Sequence, residues 1–275
     1  MYKLLRFFGH LNWVRYGIRY RVIQLFVPIG KVNKEIEVDF FGLKYCGNLI
    51  YSIDWIVYFF GAYEQRQLLW VKNILLKRGN TNTALDIGAN VGNHTLFFST
   101  FFKNVHSFEP YPPIYEKLNK NTTINHLSNV TLHQVALSNT NGNFPFYYPD
   151  SSNIGTGTLN KNRTGNPNAA ININIYDGDD YCKEHNITQI DFVKIDVEGH
   201  ELEVLLGLEG LIRSNKPIIW FEFTPKDNLD NKLKIFNKIL DGFHFYRLDT
   251  LKEITDGQIN ELQEELDILA TPYPL

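Results

Sequence analysis

Cysteine is almost missing from this 275-residue sequence, where only Cys46 and Cys182 occur. Two cysteines cannot build a disulfide framework or a four-cysteine zinc site, and a reducing compartment is the simpler setting. Long apolar runs are missing as well. The longest, Trp55 to Tyr63, has nine residues against the roughly 20 that a spanning helix needs, so no transmembrane helix is expected. Acidic residues are absent from positions 1–34, which nonetheless carry Lys3, Arg6, Arg15, Arg19, Arg21, Lys31 and Lys34. Those seven positives stand against a whole-chain net charge of −3, so the remainder carries −10. That balance excludes a generic nucleic-acid binder. Arg6, His10 and Arg15 interrupt any apolar signal-peptide core, which leaves a cytoplasmic location as the expectation. No internal repeat is visible. What the chain does have is apolar mass, 44% hydrophobic and 14% aromatic, which excludes wholesale disorder.

Residues 1–50 read as a basic helix and hairpin extension, and 51–275 as the main domain. Leu11, Val14, Ile18, Val22 and Leu25 form a helical stripe, flanked by Arg15 and Arg19 on one side and Arg21 on the other. Trp13, Tyr16 and Tyr20 lie opposite. Two readings follow for residues 1–30. The stripe is an interfacial helix making peripheral contact with the inner face of a membrane, or it packs on the protein body or a second copy in a homo-oligomer. Packing is preferred, because the aromatic side has no clear polar character. Residues 36–46 alternate and turn at Phe41-Gly42, a small hairpin. A helix is expected from Tyr63 to Arg78, with Gly79 as its cap.

From Ala84 the rhythm is strand, loop, helix, repeated. Strands are expected at 84–87, 105–108, 130–135, 190–195, 218–223, 243–248 and 268–270. Helices are expected near 92–102, 112–126, 201–212 and 229–240. Such alternation means an α/β, doubly wound, Rossmann-like sheet with ligands at the carboxyl ends of its strands. Residues 139–175 break the rhythm and read as an insertion over the cleft, carrying Tyr147, Tyr148, Ser151, Ser152, Asn153 and Thr156.

The sharpest motif is Asp86-Ile87-Gly88-Ala89-Asn90-Val91-Gly92-Asn93-His94-Thr95. It is a glycine-bearing strand-to-helix turn, but Asn90 occupies the second glycine position of the dinucleotide fingerprint. Asp86 at the strand end would repel a pyrophosphate. A cationic ligand such as S-adenosylmethionine suits it better. Glu109, ending the next strand, can accept both ribose hydroxyls. The alternative reading is that Asp86 merely caps the helix.

Together with Phe108-Glu109-Pro110, Ala136-Leu137-Ser138, Phe60 to Glu64 and the run Lys194 to Glu201, this motif resembles the FkbM family of methyltransferases. The resemblance covers about residues 54–224 and implies a class I methyltransferase sheet, S-adenosylmethionine as donor and usually a hydroxyl acceptor. The cofactor set is then Asp86, Gly88, Asn90, Gly92, Asn93, Thr95, Glu109, Pro110 and Ala136.

The fourth strand of the main domain ends in Lys194-Ile195-Asp196-Val197-Glu198-Gly199-His200-Glu201. Alternation puts Lys194 and Asp196 on one face. Asp196, Glu198 and His200 are candidate proton acceptors, and Lys194 can hold a carboxylate ionised. Lys194 and Glu198 read equally well as a structural rim pair, and His200 as part of a solvated helix start. Glu201 serves that helix start electrostatically. Glu222 and Tyr148 are candidate acceptor contacts. Asp196 and Glu222 could share a divalent ion, but no spacing requires a metal and none is expected. The reading is an S-adenosylmethionine-dependent O-methyltransferase acting on a small molecule, a glycan or a lipid-linked glycan. Its rivals are a non-catalytic adenosyl-binding protein and a nucleotide-dependent Rossmann enzyme.

Overall fold

The computed structural model describes residues 1–148, 157–159, 161, 170–224, 236, 238–255 and 265–275. Its centre is an eight-stranded sheet. The strands β3 (Thr83–Ile87), β4 (Asn104–Phe108), β5 (Val130–His133), β9 (Ile190–Ile195) and β10 (Ile218–Phe223) are parallel. The last three, β11 (His244–Arg247), β12 (Lys252–Ile254) and β13 (Leu266–Thr271), add on antiparallel. Spatially the order is β12-β11-β13-β10-β9-β3-β4-β5, so β13 returns to lie between β10 and β11. The order reverses between β3 and β9, the crevice where a doubly wound sheet binds its ligand.

Both faces of the sheet are covered, which is why its central strands are mostly apolar. On one face Ala84, Phe192, Ile218, Trp220 and Leu269 join a cluster with Phe97 and Phe98 of α5 (Asn93–Ser99) and Leu68, Val71 and Leu75 of α4 (Gln65–Arg78). On the other, Leu85, Val193, Ile219 and Ile268 meet α8 (Glu201–Gly207) and α9 (Glu209–Asn215). Helix α6 (Pro112–Thr123) follows β4, and α7 (Gly178–Glu184) precedes β9. Gly79 caps α4 in the left-handed conformation, φ 72°, as its position in the sequence suggests.

The amino-terminal part shares the first cluster. It comprises α1 (Tyr2–Gly9), α2 (Tyr16–Phe26), the hairpin β1 (Glu35–Phe40) and β2 (Leu43–Asn48), and α3 (Ser52–Phe60). The hairpin turns through Phe41 and Gly42 at φ 53° and 86°, the left-handed pair a two-residue turn requires. It is tied to α3 by Asp54, whose buried carboxylate accepts from Tyr45 Oη at 2.5 Å and Asn48 N at 2.7 Å. Helix α3 carries no period a sequence reading could use, since it is apolar at nearly every position.

The packing face of α2 is the reverse of the expected one. Tyr20 meets Trp55 edge-on with centroids 5.3 Å apart, Tyr16 lies 4.8 Å from Phe60, and Ile23 is fully buried. Arg19 does not flank a solvent stripe. It is buried and donates to Gly9 O and Asn12 Oδ1. Ile18 and Leu25, from the stripe expected to pack on the body, are exposed. Tyr16 and Tyr20 take the contact because their rings meet those of α3 at favourable angles, while Trp13 of the same side stays exposed.

The described part of the insertion contributes two strands to a three-stranded sheet. Strand β8 (Ala170–Asp177) pairs parallel with β6 (Ala136–Ser138) and antiparallel with β7 (Gly142–Tyr147). Ser151, Ser152, Asn153 and Thr156, and most of the helix expected at 229–240, lie outside the described residues.

Candidate active site

A cavity of about 370 Å³ opens at the carboxyl ends of β3, β4, β9 and β10. Of the residues singled out from the sequence, it brings together Gly88, Asn90, Glu109, Pro110, Ala136, Asp196, Glu198, His200 and Glu222 in its lining. Phe146, Leu159 and Ile173, from the described part of the insertion, also line it. Tyr148 does not line it and instead stacks on Tyr111 with centroids 5.2 Å apart.

The turn after β3 is shaped by close backbone approach. Gly88 has φ 83°, and a Cβ there would fall 1.8 Å from the carbonyl oxygen of Asp196. Any side chain would push the ends of β3 and β9 apart. Asn90 also sits at positive φ, 51°. Its N–H donates to Glu109 Oε2 at 3.1 Å, and Tyr111 N donates to Oε1 at 2.9 Å. Both oxygens of Glu109 are thereby aimed by the backbone. Burial pushes this carboxyl up to about 7, while the two N–H donors pull it down.

Asp86, Gly92, Asn93 and Thr95 stand behind the cavity and not in its lining. Asp86 is fully buried, accepts from Thr95 Oγ1 at 2.6 Å and keeps Oδ1 without a hydrogen-bond partner among the described residues. Gly92 is the residue before α5, where a Cβ would meet Leu118 Cδ1 at 2.8 Å. Asn93 clips the junction of α3 and α4, exchanging hydrogen bonds of 3.2 Å with the backbone of Tyr63. These residues match the motif because they hold the turn, the helix and the junction in place.

The reacting end is built on one cross-strand row. Asp86, Lys194 and Trp220 are register partners on β3, β9 and β10. Lys194 Nζ, almost fully buried, donates to Asp196 Oδ2 at 2.8 Å and lies 5.3 Å from the Trp220 ring centroid. Burial alone would lower the lysine, but the carboxylates of Asp196, Glu64 and Asp86 outweigh it and keep it charged. Asp196 is likewise pushed up by burial and pulled below the usual carboxylate range by Lys194. Lys194 therefore pairs with Asp196, and the rim pair with Glu198 is not what forms.

His200 lines the cavity with its ring engaged on both sides. Nε2 is 2.9 Å from Ser138 Oγ and Nδ1 is 3.5 Å from Glu203 Oε2. Burial lowers it, so it stays neutral. Glu198 has φ 55° and its carbonyl accepts from Thr158 Oγ1 at 2.9 Å. Glu201 does brace its helix start, accepting from Gly199 N at 2.8 Å.

Sequence reasoning missed Glu64, Glu265 and Asp267, which complete the acidic wall. Glu64 lies at the α3–α4 junction with φ 53° and accepts or shares a proton with His94 Nε2 at 2.9 Å. Burial drives His94 down to about 3 and Glu64 up to about 7. Asp267 Oδ1 accepts from Trp220 Nε1 at 3.0 Å and is also pushed by burial to about 7. Glu222 is raised by burial, then by Asp196 and by Glu265, with which it shares a hydrogen bond. Glu64 had a signal, since it closes the Phe60–Glu64 segment. Asp267 and Glu265 precede a short apolar run and carried none.

The described lining holds seven carboxyl groups and neither Lys nor Arg. A cation fits it, and so does an adenosine whose ribose reaches Glu109 beside the apolar Ile87, Phe108 and Ala136. Among the described residues, no group of three or more His, Cys, Asp or Glu is arranged to hold a metal ion.

Comparison with known proteins matches residues 86–250 to the family profile described as "Methyltransferase FkbM domain". The hexuronic acid methyltransferase AglP of Haloferax volcanii is 31% identical over 145 residues, covering 52% of this chain and 57% of that protein. The methyltransferase sdnD of Sordaria araneosa is 29% identical over 154 residues, covering 46% of this chain and 60% of that protein. The chain thus spans less than two thirds of these relatives. A crystal structure of methyltransferase FkbM from Methylobacillus flagellatus KT superposes with a TM-score of 0.46 at 18% identity, covering 69% of this chain and 44% of that one.

Proposed function

This chain belongs to the FkbM methyltransferase family, and on that premise we propose that it transfers a methyl group from S-adenosylmethionine to a hydroxyl of a sugar or glycan. One observation carries the reading. Glu109 and Asp196, the latter held from behind by Lys194, line the same cavity.

S-adenosylmethionine supplies an electrophilic methyl on a sulfonium. Glu109 would accept from the ribose hydroxyls, with its oxygens already oriented by Asn90 and Tyr111. The acidic wall favours the cationic donor. Asp196, kept ionised by Lys194, accepts the hydrogen bond of the incoming hydroxyl and orients its oxygen for in-line attack. A strongly held carboxylate is a weak base, so its main contribution is orientation. Neutral His200 or a carboxylate of the Glu222–Glu265 pair would take the proton that the hydroxyl loses as its oxygen gains the methyl, the sulfur–carbon bond breaks and S-adenosylhomocysteine leaves. The sugar assignment draws on the hexuronic acid named for AglP.

The test is formation of S-adenosylhomocysteine with a panel of neutral and acidic sugars, with mass spectrometry of the acceptor. A gain of one methyl on a sugar oxygen supports the reading. Tight S-adenosylmethionine binding without turnover on any hydroxyl acceptor points to the non-catalytic alternative. Thermal stabilisation by NAD and not by S-adenosylmethionine overturns it.

A further inference from the structure

The first two helices present a surface that nothing among the described residues covers. Of the twelve exposed large hydrophobic residues among those described, eight lie within the first 26 positions. Leu4 is 73% exposed, Trp13 83% and Leu25 81%. Scattered apolar residues on a surface are ordinary, but a cluster of this density marks an interaction site. Exposed Lys3, Arg15, Arg21 and Lys31 stand among them, and no carboxylate occurs in residues 1–34.

We propose that α1 and α2 dock the protein on an anionic lipid bilayer. Ile18 and Leu25 lie two turns apart on α2 with Arg21 between them, the layout of a helix lying in the interface plane. Leu4 and Phe7 do the same on α1, one turn apart. Arginine and lysine stems can reach up to headgroup phosphates while the apolar side chains enter the acyl boundary. Exposed tryptophan fits the headgroup level, one end apolar and one wet.

Charge decides between a bilayer and a second copy of this chain. A two-fold interface sets the same patch against itself. That would bring Arg15 and Arg21 of both copies together with no acidic partner in the segment. An anionic surface complements the same charges. The position in the fold also suits it. Helix α3 receives Tyr16 and Tyr20 through Phe60 and Trp55, and it lines the cavity through Ser52, Ile53 and Ile56. Docking brings the cavity to the bilayer, where a lipid-carried acceptor would be presented.

The test is co-sedimentation of the native protein with vesicles of phosphatidylcholine alone or with phosphatidylglycerol. Binding is expected to the mixed vesicles only, weakening as salt rises. Arg15→Glu/Arg21→Glu should weaken it at least about tenfold, with unchanged circular dichroism and S-adenosylmethionine affinity. Tryptophan emission should shift to the blue on vesicles, and Trp13→Phe should abolish the shift. Should the charge variant fail to fold, the salt series on the native protein decides. Absence of binding at low salt overturns the proposal. So does equal binding to neutral vesicles, or a dimer that Leu25→Asp dissociates in a protein that ignores vesicles.

Discussion

Glu109 is raised to about 7 by burial, although two backbone N–H groups aim its oxygens. Ribose hydroxyls donate to its ionised form, so binding must deprotonate it. Cofactor affinity should rise about tenfold between pH 6 and pH 8 as the ionised fraction grows. Calorimetry near pH 6.5 in buffers of different ionisation enthalpy should register proton release. Glu109→Ala removes the acceptor, and with each charge-assisted bond contributing about 1.5–3 kcal/mol, affinity should fall at least tenfold. Asp196→Asn should retain fold and cofactor affinity but lose most turnover, read as S-adenosylhomocysteine release. Lys194→Met leaves Asp196 facing Glu64 without its cation. The expected loss is about 2–3 kcal/mol in urea unfolding, below the fully buried case because Asp196 is part-open to the cavity. Adding Asp196→Asn should recover most of that stability.

At the scale of elements, the turn after β3 is where strand pairing and ligand binding meet. Gly88→Ala combines a positive φ with a Cβ placed on the Asp196 carbonyl. Since β3 and β9 must separate to admit it, stability should drop by at least about 2 kcal/mol, and S-adenosylmethionine binding should weaken with it. Thermal melting and calorimetry on the same sample check both. A variant that binds normally would show that the strand ends can move without disturbing Glu109. The turn and its flanking strands were legible in the sequence because glycine, buried apolar runs and the helix that follows recur within a few residues. Helix α3 was not. Its apolar residues crowd nearly every side, so no period marks a face.

The whole molecule concentrates charge of opposite sign in two places, cations on the amino-terminal helices and carboxyls in the cavity. Glu64, Glu109 and Asp267 are each held near 7, well above their values in an unfolded chain. A raised carboxyl stabilises the fold fully below its unfolded value near 4 and loses that contribution as pH rises through about 7. The ligand-free protein should therefore melt lower at pH 8.5 than at pH 6, and S-adenosylmethionine should narrow the gap by adding positive charge to the cavity. The same acidity selects among acceptors. A neutral sugar should be methylated faster than its uronic acid counterpart, whose carboxylate would face the described acidic lining. Competition between the two, followed by mass spectrometry, measures the preference.

Local order in this protein is set by the sequence itself: the alternation of strand and helix, the glycine turn, Glu109 at the end of its strand, and Lys194 and Asp196 on one face. Each depends on residues close in the chain, where period and spacing carry the physics. Contacts between distant segments had to wait for the tertiary structure. Antiparallel insertion of β13 beside β10 pairs Glu222 with Asp267, and Asn93 holds the α3–α4 junction that delivers Glu64. The choice of packing face on α2 belongs here too. Its aliphatic stripe is as apolar as its aromatic side, and Tyr16 and Tyr20 find their partners only where the fold brings Phe60 and Trp55.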